Sequence, residues 1–412
     1  MTHDAIAPAG SGWRRRQFLS LVDFGRASLR AEGGASWLDD EGRPVTDRPV
    51  ESWITCRMAH VFALAHLLGV PEADQAADRA LEGLLGYLAD REHGGWVASR
   101  GPGGADVVAT KQAYAHAFVV LAGATATVAG RPGAPALLDD ALRTLDERFW
   151  EAEHRLHLDE RSADWTVVDP YRGVNANMHA VEALLAAFDA TGEREWLSRA
   201  ASIADRVVGW AEANGWRIPE HYDASWNVQR ELNADRPNDP FKPYGATPGH
   251  GLEWARLLLQ LDVAGDTAGE RTAAATALFD RAATDGWDGD GFVYTTDWEG
   301  RPVERRRFHW VAAEAVAAAD VLHRVTGQER FADAAASWWR WIDLNLVDHE
   351  RGSWHHELDT ENRPSGRTWV GKPDVYHAAQ AVILPDLPLA GSFGEAARLA
   401  GPILAPTGSA TP

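Results

Sequence analysis

The segment Thr247-Pro-Gly-His250-Gly-Leu-Glu253-Trp-Ala-Arg256 sets a histidine and a carboxylate three residues apart, directly behind a threonine and a proline. Threonine suits an N-cap and proline the first helical position, where its missing N–H costs nothing, so a helix is expected to begin here. Residues three apart on a helix project side by side, and the positive end of the helix dipole disfavours a charged imidazolium. An imidazole beside a carboxylate is a candidate for proton transfer. A single His-x-x-Glu is also an ordinary interior pair, so the reading depends on whether other helices repeat it.

They do. Lys372-Pro-Asp374-Val-Tyr-His377 is a second proline-marked helix start, with Asp374 and His377 expected in its opening turn. In Asn175-Ala-Asn-Met-His179, Asn175 is the expected N-cap and His179 lies one turn along the same face. Trp53 and Arg57 stand one turn apart on a mostly apolar segment, where an unpaired guanidinium would be expensive, so Arg57 is assigned to a pocket. Tyr114, and Trp310 with Glu314, open further apolar segments.

The elements that must position these residues are helices. Alanine- and leucine-rich segments of helical period cover 14–31, 51–69, 73–90, 109–129, 135–149, 175–191, 194–213, 248–263, 269–284, 309–326, 329–346 and 374–384. Between them lie Gly- and Trp-marked pieces that read as hairpins, at His93–Ser99, Gly291–Gly300 and Gly352–Asn362. A helix pair and a hairpin recurring about every 60 residues is an internal repeat, and roughly six such pairs can close into a ring. The expected fold is all-α, an (α/α)6 barrel with short β-hairpins, with an open helical solenoid as the competitor. One domain over 1–412 is expected, loose only at 1–12 and 405–412. In a closed barrel the inner helices run parallel, so residues of their first turns meet at one mouth. A pocket lined by tryptophan, histidine and hydrogen-bonding groups suits a polyhydroxylated ligand.

Composition narrows the partners. A formal charge of −20 argues against nucleic acid and against acidic membranes, which need a basic footprint. No apolar run approaches the ~20 residues of a membrane span, and Met1–Gly12 lacks the apolar core of a signal peptide. With Cys56 the one cysteine, a reducing, cytoplasmic setting is expected. The partner expected is a small monosaccharide; oligomeric state is not encoded in any feature of the sequence. Nineteen tryptophans fit either sugar stacking or core filling. His60, His66 and His116 read as structural. The pair His355-His356 lies between Trp354 and Glu357 without a convincing third ligand, so no metal is expected.

Several motifs together resemble one family. Ser52-Trp-Ile-Thr-Cys-Arg57-Met-Ala-His60, Lys111-Gln-Ala-Tyr114-Ala-His116, Tyr171-Arg-Gly-Val-Asn175-Ala-Asn-Met-His179-Ala-Val-Glu182, Glu220-His-Tyr-Asp, Pro243-Tyr-Gly-Ala-Thr-Pro-Gly-His250-Gly-Leu-Glu253-Trp and Gly371-Lys-Pro-Asp374-Val-Tyr-His377 follow in order from about Trp13 to Leu389. The chain resembles the N-acylglucosamine 2-epimerase superfamily, within its aldose–ketose isomerase branch. The resemblance implies an (α/α)6 barrel and metal-independent, cofactor-free isomerisation of a free sugar, D-mannose to D-fructose, through a cis-enediol or enediolate. It implies His250 and His377 as the acid/base pair. Arg57, Tyr114, Asn175, His179, Glu253 and Trp310 would be substrate contacts, and Trp53 and Asp374 join them from the geometry of the mouth.

Other readings stay open at this level. A 2-epimerase returns the proton to the opposite face of C2 and an isomerase returns it to C1; two histidines suit both. A glycoside hydrolase on a helical toroid needs two flanking carboxylates, and this set is rich in histidine instead. A sugar-binding module would leave both first-turn histidines without a purpose. A sulfonated sugar would call for a cationic cradle where Pro240 and Pro373 stand, with Lys242 near by, so a neutral hexose is favoured, and D-lyxose would fit as a smaller substrate.

Overall fold

Helices that are apolar on every side alternate along the chain with helices apolar on one side, and this difference decides which become inner and which outer. The computed structural model describes residues 10–406 apart from 106, 266 and 268. In α1 (Ser11–Arg26), α3 (Ala73–Glu82), α5 (Ala134–Phe149), α7 (Arg194–Ala213), α9 (Thr272–Gly286) and α11 (Glu329–Asn345), one stripe is buried and the other faces solvent. In α5, for instance, Leu137, Leu138, Ala141, Leu142, Leu145 and Phe149 face inward while Asp139, Asp140 and Arg143 do not. By contrast, α2 (Ser52–Leu67) is buried continuously from Ser52 to Ala65, and α4 (Ala113–Val128) from Ala115 to Ala126. The same holds for most of α6 (Val174–Thr191), α8 (Pro248–Gly265), α10 (His309–Thr326) and α12 (Tyr376–Ile383). These six pack in sequence order into a ring, and α12 returns to α2. The barrel is therefore closed, an (α/α)6 toroid, and not an open solenoid.

Among the described residues, six two-stranded antiparallel sheets join the helices. A recurring tie holds the leading residue of an inner helix to the hairpin behind the following outer helix. Ser52 N–H donates to Ala98 O at 3.0 Å, Ala113 to Asp159 at 2.8 Å, Val174 to Glu220 at 3.1 Å and His309 to His356 at 3.2 Å. Ala246 and Thr296 exchange both bonds at 2.9 Å, and Lys372 N–H reaches Leu38 O at 3.0 Å. Each tie fixes a helix N-terminus at the same end of the barrel. Three of the hairpin turns share the pattern Asp-x-Glu-Gly/Asn-Arg-Pro, at 39–44, 297–302 and 359–364. In each, the aspartate accepts from backbone N–H groups two and four residues on and from the arginine side chain.

The helical expectations fall on observed helices throughout, with shifted ends. α1 starts at Ser11, two residues inside the stretch expected to be loose, while 1–9 and 407–412 lie outside the described residues. A further helix, α13 (Phe393–Ala400), was not expected. It crosses α2, α4 and α6 near their C-terminal ends, with Gly394 against Thr125, and closes the barrel opposite the mouth. Its N-cap is Ser392, whose hydroxyl accepts from Glu395 N–H at 3.2 Å. Among the described residues, no helix is long and apolar enough to cross a membrane.

Candidate active site

At the end of the barrel where the inner helices begin lies an open cleft whose empty space, about 710 Å³ in all, continues into solvent. Trp53, Arg57, Tyr114, Asn175, His179, His250, Glu253, Trp310, Asp374 and His377 all line it. The ten residues singled out from the sequence thus meet in one place, brought there by six different helix starts.

His377 sits in the first turn of α12, almost fully buried. Its Nδ1 lies 2.9 Å from Glu314 Oε1, and Arg57 Nη2 lies 3.5 Å from its Nε2. A carboxylate at Nδ1 holds the ring proton there and leaves the Nε2 lone pair free. Burial, then the positive charge of Arg57, pushes the imidazole well below the ordinary histidine range, so the ring is neutral. His250 has the parallel arrangement, with Nδ1 2.9 Å from Glu220 Oε1. Trp310 packs against both imidazoles, its ring centroid 5.2 Å from His250 and 5.8 Å from His377. Gly249 makes room for it: a Cβ there would come within 2.3 Å of the Trp310 ring. The Pro-Gly-His spacing therefore does two things, starting the helix and admitting the tryptophan.

Arg57 is both paired and in the cavity. Its Nη1 donates to Asp374 Oδ2 at 3.2 Å and its Nη2 to Tyr114 Oη at 3.0 Å. The guanidinium also lies 4.7–4.9 Å from the ring centroids of Trp53, Phe118 and Tyr376. Burial works against its charge, but Tyr114 and Asp374 more than offset that and raise its pKa. Burial pushes Tyr114 up to about 12 and His179 down to about 4, so both are neutral near pH 7. Asn175 Oδ1 is buried with no hydrogen-bond partner, an acceptor turned to a cavity it lines.

Three local expectations are corrected. Thr247 precedes α8 as expected, yet its hydroxyl has no hydrogen-bond partner, so the cap is not made by its side chain. The N-cap of α6 is Gly173; Asn175 is already inside the first turn, which points its amide into the cavity. Asp374 precedes α12, which starts at Tyr376, and its Oδ1 accepts from Tyr376 N–H at 2.9 Å. Pro373 is therefore part of the extended approach to the helix, where it lines the cavity. His60 is structural, as expected: it bonds Thr125 at 2.8 Å and Gln380 at 3.1 Å within the core.

The family model described as N-acylglucosamine 2-epimerase matches residues 33–381. The chain belongs to the N-acylglucosamine 2-epimerase family. It is 48% identical over 407 residues to a D-mannose isomerase of Thermobifida fusca, covering 97% of this chain and all of that one. It is 43% identical to a D-mannose isomerase of Pseudomonas cannabina pv. alisalensis, covering 95% and 96% of the two chains. A crystal structure of a D-mannose isomerase superposes with a TM-score of 0.85 at 30% identity, over 90% of this chain and 97% of that one. The family member described here is an isomerase.

Around the expected ten, this isomerase's cavity has walls that helical pattern did not reveal. Phe241 and Trp369 meet edge to face with centroids 5.4 Å apart, and Pro240, Pro243 and Tyr294 also line the cavity. His309 and His356 stack at 3.8 Å, and His356 Nε2 lies 3.0 Å from Asp374 O, so one member of the His355-His356 pair does reach the site. Most of these stand on connecting segments, which have no period to betray them. The Asp-x-Glu-Gly/Asn-Arg-Pro turns, repeated in the sequence, were the available signal for where those segments fold back.

The expectation that no ligand set with metal geometry converges here is also corrected. His179, Glu182 and Glu253, and likewise Glu253, Glu314 and His377, bring ligand atoms within 4.8 Å of one another. Both sets share Glu253, and Arg256 Nη2 lies 3.5 Å from its Oε1. The other carboxylates are occupied: Glu314 by Arg256 Nε and His377, Glu182 by Tyr376 Oη and Gln380. A guanidinium in this position repels a divalent ion and supplies the positive charge itself, so the residues present do not fit a metal.

Proposed function

We propose that the chain is an aldose–ketose isomerase converting D-mannose to D-fructose and back, with D-lyxose and D-xylulose as a smaller pair. The observation that carries this reading is the pair of imidazoles packed against Trp310, each with Nδ1 on its own carboxylate, in a cavity lined by tryptophan, histidine and hydrogen-bonding groups. The near full-length identity to D-mannose isomerases supports the choice of sugar.

The two histidines divide the work by their surroundings. His377 faces Arg57 and is held neutral, so it is the base that takes the proton from C2 and returns it to C1. Arg57, already positive and fixed by Asp374, stabilises the oxygen that gains charge in the enediolate. His250, its Nδ1 held by Glu220, delivers the proton that opens the sugar ring and protonates the oxygen. A base that serves both C1 and C2 on one face yields isomerisation. Trp53 and Trp310 offer apolar faces to the sugar's C–H groups, and Asn175, His179 and Tyr114 bind its hydroxyls. Pro240 and Pro373 line the wall without donors, and the Lys242 ammonium lies 3.8 Å from the Tyr171 ring centroid, so a neutral hexose is the better fit than a sulfonated one. Cys56, buried and without a partner, agrees with a cytoplasmic enzyme.

The test is incubation of the pure protein with mannose, glucose, lyxose and sulfoquinovose in D₂O, with products followed by NMR. Fructose from mannose and xylulose from lyxose are expected. Glucose appearing from mannose as fast as fructose would make the protein a 2-epimerase, and a preference for sulfoquinovose would overturn the choice of sugar.

A further inference from the structure

Beneath the mouth, four buried carboxylates share a floor with two guanidiniums. Asp374 receives Arg57 Nη1 and Tyr376 N–H; Glu182 receives Tyr376 Oη and Gln380 Nε2; Glu314 receives Arg256 Nε and has His377 Nδ1 at 2.9 Å. Each of the three thus has a partner on both oxygens. Glu253 has none. Its Oε1 is buried without a hydrogen-bond partner, 3.5 Å from Arg256 Nη2 and 3.9 Å from His179 Nδ1, which are both unpartnered as well. Four negative charges against two positive ones cannot all persist in a site this dry, and a carboxylate lacking donors is the first to take up a proton.

We propose that Glu253 works as a neutral carboxylic acid, donating its proton in a hydrogen bond to a substrate oxygen instead of accepting one as a carboxylate. Glu182 on α6 and Glu314 on α10 face it as like charges, while Arg57 on α2 and Arg256 on α8 face it as opposite ones. Burial comes first and Glu314 next, and with Glu182 they outweigh Arg256 and Arg57, so its pKa is raised well above the ordinary carboxyl range. Its other neighbours are neutral: Tyr114 on α4, pushed up to about 12, His179 at about 4, and His377 and Tyr376 on α12. The consequence is functional. An enediolate carries negative charge, and an ionised Glu253 lining the same cavity would repel it, whereas a carboxylic acid O–H stabilises it. The proton is shared with the substrate and stays on Glu253, so the proton balance of the reaction is unchanged.

The inference rests on the isomerase reading, and the experiment separates the two. Infrared spectra of the wild type and E253Q at pH 7 report the carbonyl stretch of a protonated carboxyl without any substrate, and kinetics are measured on E253Q and E253L. A protonated-carboxyl band lost in E253Q is expected. Glutamine, which also donates, should keep kcat/KM within about tenfold of wild type, while leucine, which removes one donor, should lower kcat by about 100-fold or more. A wild-type spectrum with no band that E253Q removes overturns the proposal, and so does an E253Q activity as low as that of E253L. A wild type that isomerises no sugar would instead refute the isomerase reading and leave the infrared result standing.

Discussion

Replacing Arg57 with methionine removes one charge from a place where the structure gives it two kinds of work. The side chain is 9% exposed, holds Asp374 and Tyr114, and is enclosed by three aromatic rings. Methionine fills similar length without charge. Asp374 would then keep only the Tyr376 N–H and remain a buried, uncompensated carboxylate, which costs about 3–5 kcal/mol. That is within the roughly 5–15 kcal/mol of a typical domain, so the variant should fold but melt earlier. Adding Asp374→Asn removes the stranded charge, and the double-mutant cycle should show a coupling on the order of 2 kcal/mol. The second effect is on His377. After burial, Arg57 is the main influence depressing its proton affinity, so Arg57→Met raises the His377 pKa and moves the acid limb of kcat/KM to higher pH, because the neutral ring is the active form. Urea unfolding of the four proteins of the cycle and pH–rate profiles of wild type and Arg57→Met measure both effects. A stability change under about 1 kcal/mol together with an unmoved acid limb would refute the reasoning on both counts.

Four buried histidines, His60, His116, His179 and His309, are each depressed by burial to about 4 from an unfolded value of 6.5. Between those values the unfolded chain binds more protons, so stability is complete above pH 6.5 and falls as pH drops toward 4, by about 3 kcal/mol per group at most; a urea midpoint equal at pH 7 and pH 5 would contradict this. Gly249→Ala should lower kcat at least about tenfold with a melting change worth under about 2 kcal/mol, since the added Cβ displaces Trp310 from its place against the histidines while alanine favours the helix. Prolonged dialysis against a chelator should leave activity intact, because the Arg256 guanidinium already stands beside the carboxylates that a metal would need; loss of activity restored by zinc or manganese would show otherwise.

What the sequence displayed was set by periodicity. Arg57 on α2, His179 on α6 and Glu253 on α8 interrupt helices that are otherwise buried all round, and a polar group in such a place has to face either a partner or a cavity. The convergence of six helix starts follows from closure of the ring, which the repeat of helix pairs already implied. Glu220, His356 and Trp369 stand on irregular connections, placed by tertiary ties: Glu220 to Val174 and His250, His356 to His309 and Asp374, and Trp369 N–H to the Glu357 carboxylate. α13 was missed because its apolar face has no partner nearby in sequence; it packs on three helices that end far upstream. Arg57 shows a different limit. Its cost when unpaired was legible, but its partner Asp374 lies 317 residues away, so its dual role in fold and site was not.

The assignment of His377 as the base is tested most directly by exchange of the C2 hydrogen of D-mannose with solvent D₂O, followed by NMR in wild type, His377→Asn and His250→Asn. Asparagine keeps much of the volume but cannot take up the proton, so His377→Asn should lose both exchange and isomerisation, by about 10²–10⁴-fold. His250→Asn should retain measurable exchange, because spontaneous ring opening still supplies open-chain sugar to an intact base. Retained exchange in His377→Asn with exchange lost in His250→Asn would reverse the two roles, and retained exchange in both would place the chemistry elsewhere.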